Sequence, residues 1–302
     1  MIPAVTPFTP QDAADWLGGS LVNPQDFIVQ YAAPADRPAP HAVTFIHTQR
    51  LAAAAPPDLT CAPLLVLTEA CPAPGLPQTF LLTPRPRLQF ARLLHRYFYR
   101  EEGWTSPHAE AQLGPGVLVG PGAVLEACTV GEGSLIGPHV YIASGVRIGA
   151  RARLHPHCAV GTHGFGFVRQ EDGAWLRFPH LGGVEIGDDV EIFPYANIDR
   201  SSLGNTVIAS GVKIDHHCHV GHHSTIHANA IITAHAVLCG GVEVGPGAWV
   251  GVNATIYNGV RIGEGATVGV GSVVLHDVPP GETVAGTPAR PTRSLRQARA
   301  ER

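Results

Sequence analysis

The most regular feature of the chain is an aliphatic residue at every sixth position through its second half. Twelve such positions run from Ile208 to Val274 without insertion or deletion. A small or β-branched side chain stands four residues after most of them, and glycine often follows the aliphatic residue, as in Val244-Gly245. A fixed short period of this kind is typical of a stacked β-solenoid.

Each six-residue unit predicts one short strand and one corner, so that three units form one coil of eighteen residues. Successive coils then stack as parallel strands about 4.8 Å apart, and each coil buries its aliphatic side chains only against its neighbours. The same period runs from Leu113 to Val160 and resumes at Ile186, which predicts about eight coils. The fold class is therefore mainly β, a parallel β-helix with a small α/β domain before it.

Three breaks interrupt the period. One residue is missing between Leu125 and Val130, an inserted loop spans residues 161–183, and the step from Ile198 to Ile208 is ten residues long. Loops that interrupt a regular scaffold commonly carry binding residues. These breaks therefore mark where function is expected.

Residues 1–106 lack the six-residue period and are rich in proline, which predicts a separate α/β domain. A helix is expected from Asp12 to Leu17 and an amphipathic helix from Arg87 to Tyr99. Two strands are expected, one from Ala42 to Ile46 and one from Pro63 to Leu67. The β-helix is then assigned to residues 107–289 and a basic tail to residues 290–302.

Composition predicts a soluble cytoplasmic protein with no integral membrane segment, since the sequence shows neither a spanning apolar run nor a signal-peptide pattern. The net charge of −4 argues against a general nucleic-acid binder. The six cysteines form no CxxC pair, and four of them lie within the repeats. A disulfide framework is therefore not expected.

A set of motifs carries a family resemblance. They are Gly161 to Phe167, Gly173 to Trp175, Phe178-Pro179, Ile186 to Ile192, Ile198 to Arg200, Asp215 and Gly221-His222. In order and spacing they resemble the UDP-3-O-acylglucosamine N-acyltransferases of lipid A synthesis. Val43-Thr44-Phe45 also resembles the strand that presents a uracil-stacking aromatic in that family.

The resemblance implies a left-handed β-helix, an exception to the usual right-handed crossover. It also implies a homotrimer that acylates a nucleotide sugar. The acyl donor would be a thioester of acyl carrier protein or coenzyme A, and no permanently bound cofactor and no metal are expected. The tail has an arginine at every third position from Arg290 to Arg302. It is interpreted either as a solvated terminus or as a contact for such an acidic donor.

The resemblance also implies the site residues. His222 would be the general base that takes a proton from the sugar amine, a role that suits imidazole near neutral pH. Gly240 lies one coil later, and its backbone N–H would stabilise the oxyanion. The substrate-binding residues would be Phe45, Phe165, Phe167, Trp175, Asp199, Arg200 and Asp215.

Two of these assignments have a structural alternative. At a solenoid loop, residues such as Asp199 and Arg200 more often pair with each other or cap backbone groups than contact a substrate. The aromatic residues of the inserted loop either line a groove for an acyl chain or only form a hydrophobic cluster that packs on the β-helix. Both alternatives stay open at the level of the sequence.

The chain departs from the family pattern at His163, Leu51 and Gly259, where an acid, an aromatic and a second histidine are expected. The long carboxy-terminal helices of the family are also missing. From His235 to Arg290 the chain instead resembles acetyl-coenzyme A-dependent nucleotide-amino-sugar N-acetyltransferases, whose base lies in a pair resembling Asp215-His216. His216 is therefore the alternative base.

Two further interpretations come from other classes. His222 and His227 have a spacing that resembles the zinc ligands of hexapeptide-repeat carbonic anhydrases, which need three histidines. The upstream third histidine is missing from the sequence between His180 and His216. A non-enzymatic trimeric scaffold is the last alternative.

Overall fold

The computed structural model describes residues 1–46, 62–70, 76–100 and 110–292. The chain divides into two compact units. The first comprises Met1–Gly103, Phe165–Leu181 and Ser202–Gly204, and the second comprises Trp104–Gly164, Gly182–Ser201 and Asn205–Arg302. The inserted segment predicted at 161–183 is therefore shared between the two units.

The first unit is built on a six-stranded mixed sheet of order β1-β3-β4-β5-β6-β2. Its strands are β1 (Ile2–Phe8), β2 (Ser20–Val22), β3 (Val29–Ala32), β4 (Ala42–Phe45), β5 (Leu64–Thr68) and β6 (Thr79–Leu82). β3 to β6 pair in parallel, while β1 and β2 add antiparallel edges. Side chains alternate across the sheet, so that Leu65 and Leu67 pack into one buried cluster and Leu64 and Val66 into the other.

Two helices belong to this unit, α1 (Pro10–Leu17) and α2 (Pro86–Tyr97). α1 begins with a capping box: the Asp12 N–H donates to Thr9 Oγ1 at 3.1 Å, and the Thr9 N–H donates to Asp12 Oδ2 at 2.7 Å. It ends at Gly18, whose φ of 68° is the left-handed conformation that glycine favours. The predicted helices and the strands at Ala42 and Pro63 are confirmed to within two residues at their ends.

The second unit is a parallel β-helix with three sheets, which we call faces 1, 2 and 3. Face 1 holds β7 (Gln112–Leu113), β10 (Thr129–Val130), β13 (Val146–Ile148), β18 (Gly183–Ile186), β21 (Asn205–Ile208), β24 (Thr225–Ile226), β27 (Glu243–Val244) and β30 (Arg261–Ile262). Face 2 holds β8 (Leu118–Val119), β11 (Leu135–Ile136), β14 (Arg153–Leu154), β19 (Glu191–Ile192), β22 (Lys213–Ile214), β25 (Ile231–Ile232), β28 (Trp249–Val250), β31 (Thr267–Val268), β33 (Thr283–Ala285) and the antiparallel β34 (Arg290–Pro291).

Face 3 holds β9 (Val124–Leu125), β12 (Tyr141–Ile142), β15 (Ala159–His163), β20 (Asn197–Arg200), β23 (His219–Val220), β26 (Val237–Leu238), β29 (Thr255–Ile256) and β32 (Val273–Val274). Strands eighteen residues apart pair in register, so that Ile214, Ile232 and Val250 are direct neighbours on face 2. All twelve aliphatic positions from Ile208 to Val274 are at most 2% exposed. The predicted six-residue period is confirmed, and the eight strands of face 1 and of face 3 agree with the expected number of coils.

All three breaks in the period fall at one corner, the one between face 3 and face 1. The missing residue lies between β9 and β10, the long insertion between β15 and β18, and the shorter insertion between β20 and β21. The other two corners keep their length in every coil of the described residues, up to β32. The chain therefore concentrates its irregular segments along a single edge of the rod.

Within the described residues, no helix combines the length and the apolar character that a membrane span requires.

Candidate active site

His222 lies at the same corner, between β23 on face 3 and β24 on face 1. In the two coils that come just before that of His222, the chain leaves the β-helix at this corner for the two insertions. His216 lies at a different corner, between β22 on face 2 and β23 on face 3, where the period is unbroken. The two histidines proposed as bases are therefore on different edges of the β-helix.

The imidazole of His222 lies directly over Gly240. A Cβ on Gly240 would stand 2.6 Å from His222 Cε1, 2.9 Å from Nε2 and 3.0 Å from Nδ1. The ring therefore uses the space that a side chain at position 240 would fill. The expectation that Gly240 stacks beside His222 is confirmed, whereas its role as an oxyanion donor stays a prediction.

The backbone around His222 is held by the neighbouring coils. The His223 N–H lies 3.1 Å from both Ser201 Oγ and Thr206 Oγ1, and Ser201 and Thr206 are fully buried. The carbonyl of His222 accepts a hydrogen bond from the Gly241 N–H at 2.8 Å. These contacts fix the corner from both sides, so that the half-buried imidazole projects from a rigid scaffold.

Asp199 is itself buried and belongs to a polar network on face 3, two residues beyond Asn197. Its Oδ1 accepts hydrogen bonds from Thr162 Oγ1 at 3.0 Å and from Asn197 Nδ2 at 2.8 Å. Its Oδ2 lies 3.7 Å from Nε2 of His219, an outward-facing residue of β23. Sequence reasoning missed His219, although its place directly before the buried Val220 indicated an exposed side chain three residues from His222.

Arg200 is buried and does not face solvent. Its Nε donates to the Gly161 carbonyl at 2.7 Å, and one terminal nitrogen donates to the Ser144 carbonyl. Gly161 lies on β15 and Ser144 follows β12, so that both acceptors belong to earlier coils. Arg200 thus links three coils at the edge that carries the insertions. These contacts favour the interpretation that Arg200 caps backbone groups. Its predicted contact with substrate stays a prediction.

Asp215 and His216 form a close pair at their own corner. Asp215 Oδ1 lies 2.6 Å from His216 Nδ1 and accepts the His216 N–H at 2.8 Å, while Oδ2 accepts the Ala234 N–H at 3.1 Å. Partial burial by itself raises the pKa of the Asp215 carboxyl, but the hydrogen bonds from His216 and Ala234 together hold it below its ordinary value. The carboxylate thereby orients an imidazole that is about half exposed.

The aromatic residues predicted to bind substrate lie in the first unit. Phe45 packs against Phe90, with ring centroids 5.0 Å apart, and its own side chain is half-buried. Phe165 is 91% exposed and Trp175 is 65% exposed. Phe167 is half-buried, with its ring centroid 5.1 Å from that of Phe165. Their predicted contacts with substrate stay predictions.

Other histidines have structural partners. His227 Nε2 lies 3.1 Å from Glu243 Oε1, and within residues 1–46, 62–70, 76–100 and 110–292 no three His, Cys, Asp or Glu side chains are grouped to hold a metal ion. His217 and His235 stack as expected, with centroids 4.9 Å apart and planes 5° apart. The stack continues through Tyr195, His157 and His139. Of the arginine tail, only Arg290 lies within the described residues.

Part of the six-residue repeat matches a known family model. The family model described as bacterial transferase hexapeptide (six repeats) matches residues 127–162. Two solved UDP-N-acetylglucosamine acyltransferases share the fold. The enzyme from Campylobacter jejuni has a TM-score of 0.53 at 25% identity, over 60% of this chain and 69% of that chain. The enzyme from Bacteroides fragilis has a TM-score of 0.56 at 21% identity, over 66% and 78%. The predicted left-handed β-helix is confirmed.

The chain is also similar to proteins named UDP-3-O-acylglucosamine N-acyltransferase. The protein of Pseudomonas syringae pv. tomato is 29% identical over 238 residues, which cover 70% of this chain and 67% of that protein. The protein of Herminiimonas arsenicoxydans is 40% identical over 126 residues, which cover 42% of this chain and 34% of that protein. The chain thus spans from about one third to two thirds of the length of these relatives. The predicted resemblance is confirmed.

Proposed function

We propose that this chain is an N-acyltransferase that moves an acyl group from a thioester to the amino group of a UDP-linked glucosamine derivative. The observation that carries the proposal is the placement of His222. Its ring lies over Gly240 at the edge where all three breaks in the six-residue period fall. The similarity to proteins named UDP-3-O-acylglucosamine N-acyltransferase supports the substrate class.

In the proposed reaction the sugar amine attacks the thioester carbonyl while His222 takes one amine proton. A new C–N bond forms, and the carbonyl oxygen becomes a tetrahedral oxyanion that the Gly240 N–H stabilises. The C–S bond then breaks, the carbonyl is restored, and the thiolate receives the proton from His222. The products are an amide and a free thiol, so that atoms and charge balance without a metal or a redox partner.

We further propose a homotrimer as the active form, in which neighbouring rods form the cleft that contains His222. A rod with three flat faces can pack around a three-fold axis, and a closed symmetric assembly is the usual form of such oligomers. Sedimentation equilibrium at micromolar concentration tests this. A stable monomer that is nevertheless fully active would contradict it.

The test of the base compares three single variants, His222→Ala, His216→Ala and His223→Ala. His222→Ala should lower kcat by roughly 10²–10⁴, while the melting temperature stays close to that of the unchanged protein because the side chain lies at a corner. His223→Ala is the matched control, since it removes the adjacent, more exposed imidazole. If His223→Ala were the only variant with a large loss of kcat, the loss would reflect a disturbed corner and not the removal of a general base.

The Asp215–His216 pair supports a second candidate function, that of an acetyl-coenzyme A-dependent nucleotide-amino-sugar N-acetyltransferase. A carboxylate 2.6 Å from Nδ1 fixes the ring and leaves Nε2 to accept a proton. In that case His216→Ala shows the large loss and His222→Ala does not.

The preferred acyl donor distinguishes the two candidate functions without reference to which histidine is the base. Each buried methylene contributes about 0.8 kcal/mol, so a lipid-type enzyme should favour octanoyl and 3-hydroxymyristoyl over acetyl thioesters. The assay uses each chain on coenzyme A and on acyl carrier protein, with the full-length chain and with a chain ending at Arg290. A preference for acetyl-coenzyme A that is unaffected by truncation would exclude the lipid-type enzyme.

A further inference from the structure

The hairpin inside the long insertion has two chemically different faces. Its strands are β16 (Phe167–Arg169) and β17 (Trp175–Arg177), which pair antiparallel. The central pair, Val168 and Leu176, packs against the hydrophobic core of the first unit. Because side chains alternate along a strand, the flanking residues of both strands project from the opposite face.

The outward face is aromatic and cationic. Phe167 pairs in register with Arg177, and Arg169 pairs with Trp175. Phe165 extends this face, since its ring centroid is 5.1 Å from that of Phe167. The guanidinium carbon of Arg177 lies 5.3 Å from the centroid of Phe167, a cation–π contact. None of the four outward strand residues is acidic, although the chain as a whole carries a net charge of −4.

The acidic side chains at the hairpin turn have partners elsewhere. Glu171 forms ion pairs with Arg92 at 2.6 Å and with Arg85 at 3.7 Å. Asp172 Oδ1 accepts the Ala174 N–H at 2.9 Å, within the turn. These acids therefore do not neutralise Arg169 and Arg177, which are both exposed. The outward face keeps its positive charge.

Phe165 and Trp175 protrude from the outward face of the hairpin. Phe165 is 91% exposed and Trp175 is 65% exposed, whereas a small-molecule site buries most of its lining in a cleft. A large aromatic side chain that protrudes beside arginine is the combination that inserts at the boundary of acyl chains and headgroups. Arginine at that depth reaches lipid phosphates, and an anionic surface adds to the attraction.

We infer that the outward face formed by Phe165, Phe167, Arg169, Trp175 and Arg177 docks the protein on an anionic phospholipid surface. The aromatic rings enter the interface, and the two arginines contact phosphate groups. The interaction is peripheral and reversible, because one hairpin buries little apolar area. This inference goes beyond the proposed acyl transfer and does not depend on it.

Vesicle flotation of the full-length protein tests the inference. We expect binding to vesicles of phosphatidylethanolamine and phosphatidylglycerol at low salt, and weak binding to phosphatidylcholine alone. Raising the salt from about 0.01 to 0.1 M shortens the Debye length from about 30 to about 10 Å and should weaken the binding to anionic vesicles. Absence of flotation with anionic vesicles at low salt would overturn the inference.

Two double variants separate the aromatic from the cationic contribution. Phe165→Ser/Trp175→Ser should lower the partition coefficient on anionic vesicles by about tenfold or more. Arg169→Gln/Arg177→Gln should lower it by about 25-fold, since each cation near the surface contributes about fivefold. The second variant should leave the weak binding to phosphatidylcholine unchanged.

Matched controls on the β-helix exclude general effects of charge and hydrophobicity. Arg153→Gln/Arg261→Gln removes the same charge, and Tyr257→Ser removes an aromatic ring that is 57% exposed. Neither should change flotation. Equal losses in controls and hairpin variants would overturn the inference. Failure to float, together with capture by an acidic acyl carrier protein that is lost in Arg169→Gln/Arg177→Gln, would instead assign the face to an acidic protein.

Discussion

The ring of His222 occupies the space where a side chain on Gly240 would lie, because a Cβ at position 240 would stand only 2.6 Å from His222 Cε1. The two residues are one coil apart, so the relationship is a direct product of the eighteen-residue repeat. The orientation of the imidazole therefore depends on residue 240 being a glycine. It also offers a way to move the imidazole without removing it.

Gly240→Ala should displace the His222 ring and lower kcat by about 10²-fold, which is the cost of misplacing a catalytic group by roughly 1 Å. Because the two residues act as a unit, the double variant Gly240→Ala/His222→Ala should be no slower than His222→Ala. Steady-state kinetics on the three variants checks this. Multiplicative losses in the double variant would contradict a shared role.

The pair Ile231 and Ile232 tests the packing of the β-helix. Ile232 is fully buried, whereas the adjacent Ile231 is half-buried and projects outward from face 2. Ile232→Ala should lower the free energy of unfolding by about 2–5 kcal/mol, and Ile231→Ala by no more than about 0.5 kcal/mol. Guanidinium unfolding curves measure both. An equal loss at Ile231 would indicate that another subunit covers face 2.

The sequence was sufficient for the regular part of the fold, because a six-residue period places every aliphatic side chain on the axis. Ile208 to Val274 could therefore be assigned to the core without coordinates. The edge strands of the first unit were missed. β1 contains Pro3 and Pro7, and β2 has only three residues, so neither shows an alternating pattern long enough to predict a strand.

The site was predicted only where it depends on the repeat. The stacking of Gly240 on His222 and of His235 on His217 follows from their spacing of eighteen residues. The anchoring of Arg200 to Gly161 and Ser144 does not, because it joins residues across the long insertion at 161–183. The contact between Asp199 and His219 was missed for the same reason, since a ten-residue step separates their strands from the regular register.

Three cysteines in the coils should resist alkylation in the native protein. Burial raises the pKa of Cys128 and of Cys218 to about 11 and that of Cys158 to about 12. At pH 8 only about one Cys158 thiol in 10⁴ is then ionised, and the thiolate is the reactive species. Cys239 is half-buried and should react first among these four. Brief iodoacetamide treatment followed by peptide mass spectrometry gives the order, and rapid labelling of Cys158 would contradict the coil packing.

Asp215 should make stability depend on pH in a defined direction. Its carboxyl has a lower pKa in the folded protein than its ordinary value of 3.8, so the folded state favours the ionised form. That stabilisation is present above pH 3.8 and is lost as pH falls through the lower folded pKa. The melting temperature of Asp215→Asn should therefore lie below that of the unchanged protein at pH 5 to 7. The difference should shrink as pH falls below 3.8, and a gap that widens on acidification would contradict it.

The His223 amide provides a test of how firmly the corner beside His222 is held. Its N–H has two hydroxyl acceptors, Ser201 Oγ and Thr206 Oγ1, both at 3.1 Å. Ser201→Ala or Thr206→Val alone leaves one acceptor in place, so each should change stability only slightly. The double variant leaves a donor without either hydroxyl and should cost about 1–3 kcal/mol. Hydrogen exchange at the His223 amide should accelerate strongly only in the double variant, and kcat should fall with it, because the backbone that positions His222 is then free to move. Exchange that is already fast in the unchanged protein would show that these hydroxyls do not hold the corner.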